Sequence, residues 1–442
     1  MINCTGTERL GSISVSGEDL QEQEQVQEQE EVRRRSRKNS SVSLSWVGKG
    51  LAVDSTGSIP VGVLGKIRHS LNELVSGLCR GFIIAYGVGG TINGASALIQ
   101  RKSLKLVVRN ILSNDTRRLA LFVSGFCGIF RFVNSIITYT QGKEGAYCAF
   151  IAGLLASVAT VMDSESRRRS LMLLVLVRAT NLYVKKLVRI GRLPYWEYCE
   201  HFLFGVANTS IMYGFLLEPS MLQKSYYHWI LRMGNVTDEG LEITGRQVLR
   251  ARVEHGIELP FRSCQPHYHE GPCVRHLTTD WFNGLLRAGK IYLPVHMIPL
   301  FIFRLDGLRN EPISTLKHFS RNVANSCMFL TTYVFFVKGN MCFWRNLLQR
   351  DEPWMAISGG LMTSFACLFE RKSRISELML YCWTKSFLAT WNYFESRHIV
   401  RDVKYGEIPL FALSMAIIMS SAREDFKDTY YKLLCFVIGS GQ

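Results

Sequence analysis

The sequence predicts an all-α fold: a polytopic membrane helical bundle of two homologous repeats with about ten hydrophobic helices. Three observations predict it. Apolar runs of 15–22 residues carry one charge or none, close to the length that crosses a bilayer core. Clusters of basic residues separate these runs, where loops would meet lipid headgroups. The chain also resembles itself when shifted by 207 residues.

The 442 residues are 47% apolar and 20% charged, an average close to that of soluble proteins. The average hides a partition, because residues 1–60 and 236–288 are polar while the rest alternates apolar runs with short loops. The formal charge of +16 and pI of 9.4 suit either nucleic acid or anionic lipid. Position decides between them. Arg101, Lys102, Lys105 and Arg109, then Arg167, Arg168 and Arg169, then Arg371, Lys372 and Arg374 sit between apolar runs. The expected partners are therefore membrane lipids and other membrane proteins, with no nucleic acid.

In order along the chain, residues 1–60 pass from a Gln/Glu tract (21–31) to the basic run RRRSRK (33–38) and a Ser-rich stretch. Such a segment buries no core and is expected to be a disordered tail. Its acidic tract argues against a cleaved mitochondrial presequence, and no secretory signal is expected. Residues 61–235 form the first membrane repeat, with apolar stretches at 77–99, 119–140, 146–162, 170–184 and 199–217. Residues 236–288 are a polar linker, and 289–442 the second repeat, with stretches at 289–303, 324–337, 354–369, 377–394 and 408–422. Several are short or charged. Arg178 and Lys385 lie inside them, and an intramembrane cation must pair, snorkel or face the bundle interior. The expectation is ten hydrophobic helices and not ten full crossings. Small residues at Gly87, Gly89, Gly90 and Gly94, and at Gly359, Gly360 and Ser364, predict close intramolecular helix contacts.

The repeat sets KEGAYCAFIAGLLASVATVMDSESRRRSLML (143–173) against RDEPWMAISGGLMTSFACLFERKSRISELML (350–380). Gly153 meets Gly360, Asp163 meets Glu370, Arg167 meets Arg374 and Arg178 meets Lys385. After an eight-residue length difference, GRLP (191–194) is set against GEIP (406–409), each ahead of the last helix of its half. A unit with an odd number of crossings would place its copies in opposite orientations, as in many transporters.

One segment concentrates metal-ligand chemistry. CQPHYHEGPCVRH (264–276) holds Cys264, His267, His269, Cys273 and His276, and Pro266 and Pro272 keep it from a regular helix. A loop of this kind could hold tetrahedral zinc through Cys264, a histidine, Cys273 and His276. Its spacing matches no standard finger, so inert packing and a redox pair stand beside metal as readings. Most other cysteines among the twelve lie in apolar runs, where a thiol acts as a small hydrophobe. No disulfide framework is read from them. The sequence has no P-loop, nucleophile elbow, HExxH or dinucleotide fingerprint, so no enzymatic activity is expected.

These features resemble the transmembrane protein 135 family: two halves joined by a Cys/His-rich segment, a glycine-containing apolar helix followed by ERKSR (370–374), and a G-x-[IL]-P step before the last helix. That family is distantly related to the Tim17, Tim22 and Tim23 translocases. The resemblance covers roughly residues 75–435 and is most specific at 350–422. It implies a protein of mitochondrial and peroxisomal membranes, tied to mitochondrial fission and to lipid homeostasis, with organelle membrane proteins as partners. It implies no catalytic activity. Cys264, His267 and Cys273 are the cluster positions it carries over. The alternative expectation is a secondary transporter or channel moving a lipid or small anionic solute, with Arg178 and Lys385 facing a common cavity.

Overall fold

The computed structural model describes residues 61–99, 103–142, 145–194, 196–242, 246–247, 251, 256–257, 260–267, 269–303, 309–401, 403–425 and 436–438. The expected N-terminal tail, residues 1–60, lies outside them, as do Arg101, Lys102, Lys143 and Glu144. Among the described residues all regular structure is helical.

Among the described residues ten main helices fall into two sets of five. The first set is α1 (Val61–Ile99), α2 (Asn114–Gln141), α3 (Ala146–Ala156), α4 (Glu165–Arg189) and α5 (Cys199–Leu216). The second is α6 (Cys273–Phe303), α7 (Pro312–Leu348), α8 (Pro353–Met362), α9 (Lys372–Ser396) and α10 (Glu407–Asp425). Short helices at Leu104–Ile111, Lys224–Gly234 and Asp238–Leu241, and a helical turn at Cys264–His267, connect them.

Local chemistry fixes the same boundaries twice. Ser113 caps α2 by accepting from the Thr116 amide at 3.3 Å, satisfying a donor the helix cannot. The helix stops at Gly142, φ 70°, and α7 stops 207 residues later at Gln349, φ 50°. Helix α4 ends on Gly191 in the left-handed region, with the Arg192 amide reaching back to the Leu187 carbonyl. Helix α9 ends on His398, again 207 residues on, with the Ile399 amide bonded to the Phe394 carbonyl. Both are the wrapped C-terminus in which the first residue past the helix turns left-handed. Helices α3 and α8 each tighten into a 3-10 segment, Ser157–Met162 and Thr363–Phe369, before a carboxylate breaks the run.

Ion pairs recur at the same offset. Asp163 pairs with Arg167 and Glu370 with Arg374. Glu73 of α1 pairs with Arg131 of α2 at 2.5 Å, and Asp280 of α6 pairs with Lys338 of α7 at 2.6 Å. The offset of 207 therefore holds from α1 through α9. It corrects one expectation: the counterpart of Gly191 is His398 and not Gly406, because Gly191 closes α4 whereas Gly406 immediately precedes α10. Helix α6 also begins at Cys273, inside the segment read as linker.

The fifth helices are exchanged. Helix α5 packs on α8 and α9 of the second half, and α10 packs on α3 and α4 of the first. Glycine makes both approaches close: a Cβ on Gly153 would meet the Ala416 Cα at 3.2 Å, and one on Gly360 the Thr209 Cα at 2.6 Å. Two cores result. One joins α5 to α7, α8 and α9 around Phe204, Ile211, Phe329 and Ile375. The other joins α10 to α2, α3 and α4 around Phe126, Ala152, Met172 and Phe411. We call these lobe B and lobe A. Helix α1 packs on α2 through Gly77 and Gly81 and, of the expected glycines, through Gly89, whose added Cβ would meet the Thr116 side chain at 3.3 Å; Gly90 lies against Ile111, while Gly87 faces open space.

Among the described residues two helical stretches, Gly65–Thr91 and Val108–Gln141, are long and apolar enough to cross a bilayer, fewer than the ten hydrophobic stretches of the sequence. Three shorter apolar stretches, Ala146–Met162, Pro353–Phe369 and Glu407–Ser421, accompany them. Others are divided by charges that the fold pairs internally, such as Arg168 with Glu407 at 2.8 Å and Arg178 with Glu377 at 2.8 Å.

Candidate metal centre and the cavity beside it

The Cys/His segment folds against the C-terminal end of α7. Its turn is tied by the His269 amide bonding the Cys264 carbonyl at 3.3 Å. It reverses at Gly271, φ 76°, a conformation glycine adopts without a Cβ penalty. Cys273 is then the first residue of α6.

Three of the five expected residues come together, with a fourth from elsewhere. The ligand atoms of Cys264, His269, Cys273 and Cys342 all lie within 4.8 Å of one another. The correction concerns His276, which does not join them. Its ring stacks on that of His269, centroids 4.4 Å apart and planes 8° from parallel. Burial, with His269 beside it, pushes its pKa down. The backbone of His267 lies in the helical turn, and its side chain lies outside the described residues.

The surroundings match those of a ligand set. His269 is 8% exposed, and its Nδ1 sits 3.1 Å from the Gly271 carbonyl oxygen. Its Nε2 is buried without a partner. Nδ1–H donation to a carbonyl fixes the tautomer that leaves the Nε2 lone pair free, the arrangement typical of ligating histidines. Asn346 Nδ2 donates to Cys273 Sγ at 3.3 Å. The Cys264 thiol is pushed down to about 5, first by its hydrogen bond with Cys342 and then, against the opposing effect of burial, by the Arg345 guanidinium. The same bond and burial push Cys342 up. Arg345, 2% exposed, is ion-paired with Asp351, bonds the Arg262 carbonyl, and lies over the Phe261 ring at 5.0 Å. It anchors the linker next to the thiols.

Cys264, His269 and Cys342 also line a cavity of about 350 Å³. Its walls are Phe204, Met212 and Phe215 from α5, Tyr333 and Val337 from α7, and Tyr381 from α9. Asn208, one of the polar groups in this wall, is satisfied: it accepts from Tyr333 Oη at 2.8 Å and donates to the Phe204 carbonyl at 2.7 Å. The lining is otherwise mostly apolar, with Lys338 and Arg345 among its polar members.

The same place in lobe A is filled by the chain itself. At the 207-residue offset, Phe204, Met212, Phe329 and Val334 of the cavity correspond to Phe411, Met419, Phe122 and Cys127. Those four residues pack with the segment 436–438, in which Ile438 is 3% exposed. Cys127 Sγ reaches the Val437 carbonyl at 3.6 Å, and Arg80 bonds the Phe436 carbonyl at 3.0 Å.

The two cations expected within the membrane, Arg178 and Lys385, occupy separate settings. Arg178 pairs with Glu377. Lys385 donates to Gln223 at 3.1 Å and lies over the Tyr226 and Tyr381 rings at 5.3 and 5.7 Å. Neither lines the cavity. Comparison with known proteins finds no matching family model and no matching solved structure.

Proposed function

We propose that this chain is a non-catalytic, multi-pass protein of mitochondrial and peroxisomal membranes that holds an extended apolar chain, such as a lipid acyl tail, in the lobe B cavity. Through that ligand it acts on organelle lipid homeostasis and on mitochondrial fission. One observation carries the reading: the cavity is mostly apolar, of ligand size, and its counterpart in lobe A accepts Val437 and Ile438. A space built twice, and filled once by successive apolar residues of the chain, is suited to an extended apolar ligand.

The membrane part of the reading is supported by the spans at 65–91 and 108–141 and by large exposed apolar side chains such as Ile83 and Leu368. The organelle part rests on the resemblance at 350–422. The alternative transporter reading calls for Arg178 and Lys385 in one cavity; the two have separate partners, which favours the lipid-holding reading.

Two measurements test this. The protein is purified in a mild detergent and its bound lipids are identified by native mass spectrometry; stoichiometric acyl lipid supports the proposal, and an empty protein opposes it. A tagged copy is imaged against mitochondrial and peroxisomal markers, with mitochondrial length scored after depletion. Exclusive plasma-membrane location would remove the organelle reading.

A further inference from the structure

We propose that Cys264, His269, Cys273 and Cys342 bind one Zn²⁺ ion tetrahedrally, as a structural clasp that fastens the linker to the C-terminal end of α7 beside the lobe B cavity.

The donor set is three thiolates and one imidazole, a combination used in structural zinc sites. Zinc–sulfur bonds of about 2.3 Å at tetrahedral angles place ligand sulfurs about 3.8 Å apart. The present separations, all within 4.8 Å, need side-chain adjustments of an ångström or less. The supply of ligands is complete at four, which leaves no open position and favours a structural over a catalytic ion.

Three independent features point to an ion. The His269 Nε2 is buried and unpartnered while Nδ1 is held by Gly271, and a buried polar atom without a partner calls for one. Cys273 and Cys342 come from α6 and α7, while Cys264 and His269 come from the connecting turn, so one ion would join three separate pieces of chain. Three thiolates around Zn²⁺ leave one net negative charge, and the Arg345 guanidinium interacts with Cys264. Binding would release the protons that the thiols hold.

The same offset explains why the clasp occurs once. The lobe A counterparts of Cys273 and Cys342 are Lys66 and Ser135, which do not bind zinc. Ser135 instead hydrogen-bonds Ser70 at 3.1 Å. Val437 and Ile438 pack into lobe A, and clasp residues line the cavity of lobe B. The inference does not rest on the lipid reading, since a zinc site can exist beside an empty cavity.

The test uses the full chain in detergent. Elemental analysis should find one zinc per chain. Alkylation followed by peptide mapping should find Cys264, Cys273 and Cys342 protected, and all three modified once a strong chelator is added. Cys342→Ser should lose the metal, whereas His276→Ala should keep it. Because Cys342→Ser could fail to fold, protection mapping on the unmutated chain decides by itself. The proposal is overturned by protein without stoichiometric metal after purification in zinc-containing buffer, by Cys342 reacting as fast with zinc as without, or by recovery of Cys264 and Cys342 as a disulfide.

Discussion

Gly360 lies against Thr209 so closely that a Cβ would sit 2.6 Å from the Thr209 Cα and 2.5 Å from the Asn208 carbonyl oxygen. This is the contact by which α5 of the first half enters lobe B. Gly153 makes the matching approach to Ala416 at 3.2 Å.

Gly360→Ala is therefore expected to destabilise the protein by about 2 kcal/mol or more through overpacking against backbone. Gly289→Ala, in the same fold but with nothing within 4 Å of its Cβ, should be neutral or stabilising by up to about 1 kcal/mol, from helix propensity alone. Thermal unfolding in detergent measures both. Equal stability of the two variants would remove the close α5–α8 packing.

Gln349 and His398 take φ values of 50° and 57° where the first half has Gly142 and Gly191. A non-glycine residue there costs roughly 1 kcal/mol. Gln349→Gly and His398→Gly should each stabilise by about 0.5–1 kcal/mol, read as a raised midpoint of unfolding. A loss in both would mean that these helices end elsewhere.

Asp280 is 7% exposed and holds both Lys338, at 2.6 Å, and Arg287, at 2.7 Å. Burial opposes its ionisation, but the bonds and charges of Lys338 and then Arg287 outweigh it, and the carboxyl pKa is lowered. A depressed carboxyl contributes stability above its unfolded pKa, about 3.9, and that contribution is lost as pH falls from there through the folded value. Asp280→Asn should cost about 3 kcal/mol at neutral pH, because two cations lose their partner. It should also flatten the acid side of the stability profile, and an unchanged acid limb would contradict the assignment.

Arg345 and Asp351, both under 6% exposed, form a buried pair. Arg345→Ala or Asp351→Ala alone should cost roughly 3–5 kcal/mol, and the double variant less than the sum, since no charge is left unpaired. Additive losses in chemical unfolding would show that the two act separately.

The cavity reading predicts opposite effects at the two lobes. Met212→Trp should fill the lobe B space and reduce co-purified acyl lipid several-fold. A chain ended at residue 435 should open the matching space in lobe A and gain a second lipid; an unchanged lipid count in the shortened chain would contradict the placement of residues 436–438.

The repeat was legible because its register is written in charges and turn residues: Asp163 with Arg167 and Glu370 with Arg374 form the same one-turn ion pair. The exchange of α5 and α10 was not legible. Either helix is apolar on enough faces to pack on either half, and the choice lies in backbone approach at Gly153 and Gly360. For the site, the dense segment 264–276 pointed to Cys264, His269 and Cys273, but proximity in sequence also favoured His276, which the fold turns into a stacking partner of His269. Cys342 escaped notice because it lies on α7 just beyond an apolar stretch and reads as a small hydrophobe. The available signal was its neighbourhood, with Arg345 and Asn346 within about one turn marking an end of α7 that needs polar partners.

Exchanging the fifth helices has a consequence for biosynthesis. Helix α5 leaves the ribosome before α8 and α9 exist, and lobe A waits for α10, which follows α9 in the chain. Neither half is a self-sufficient folding unit, and the contacts that complete each lobe are among the most distant in sequence, which slows folding. Residues 61–235 made alone would carry an unsheltered α5, a target for chaperones and quality-control proteases, and only synthesis together with the remainder would rescue it.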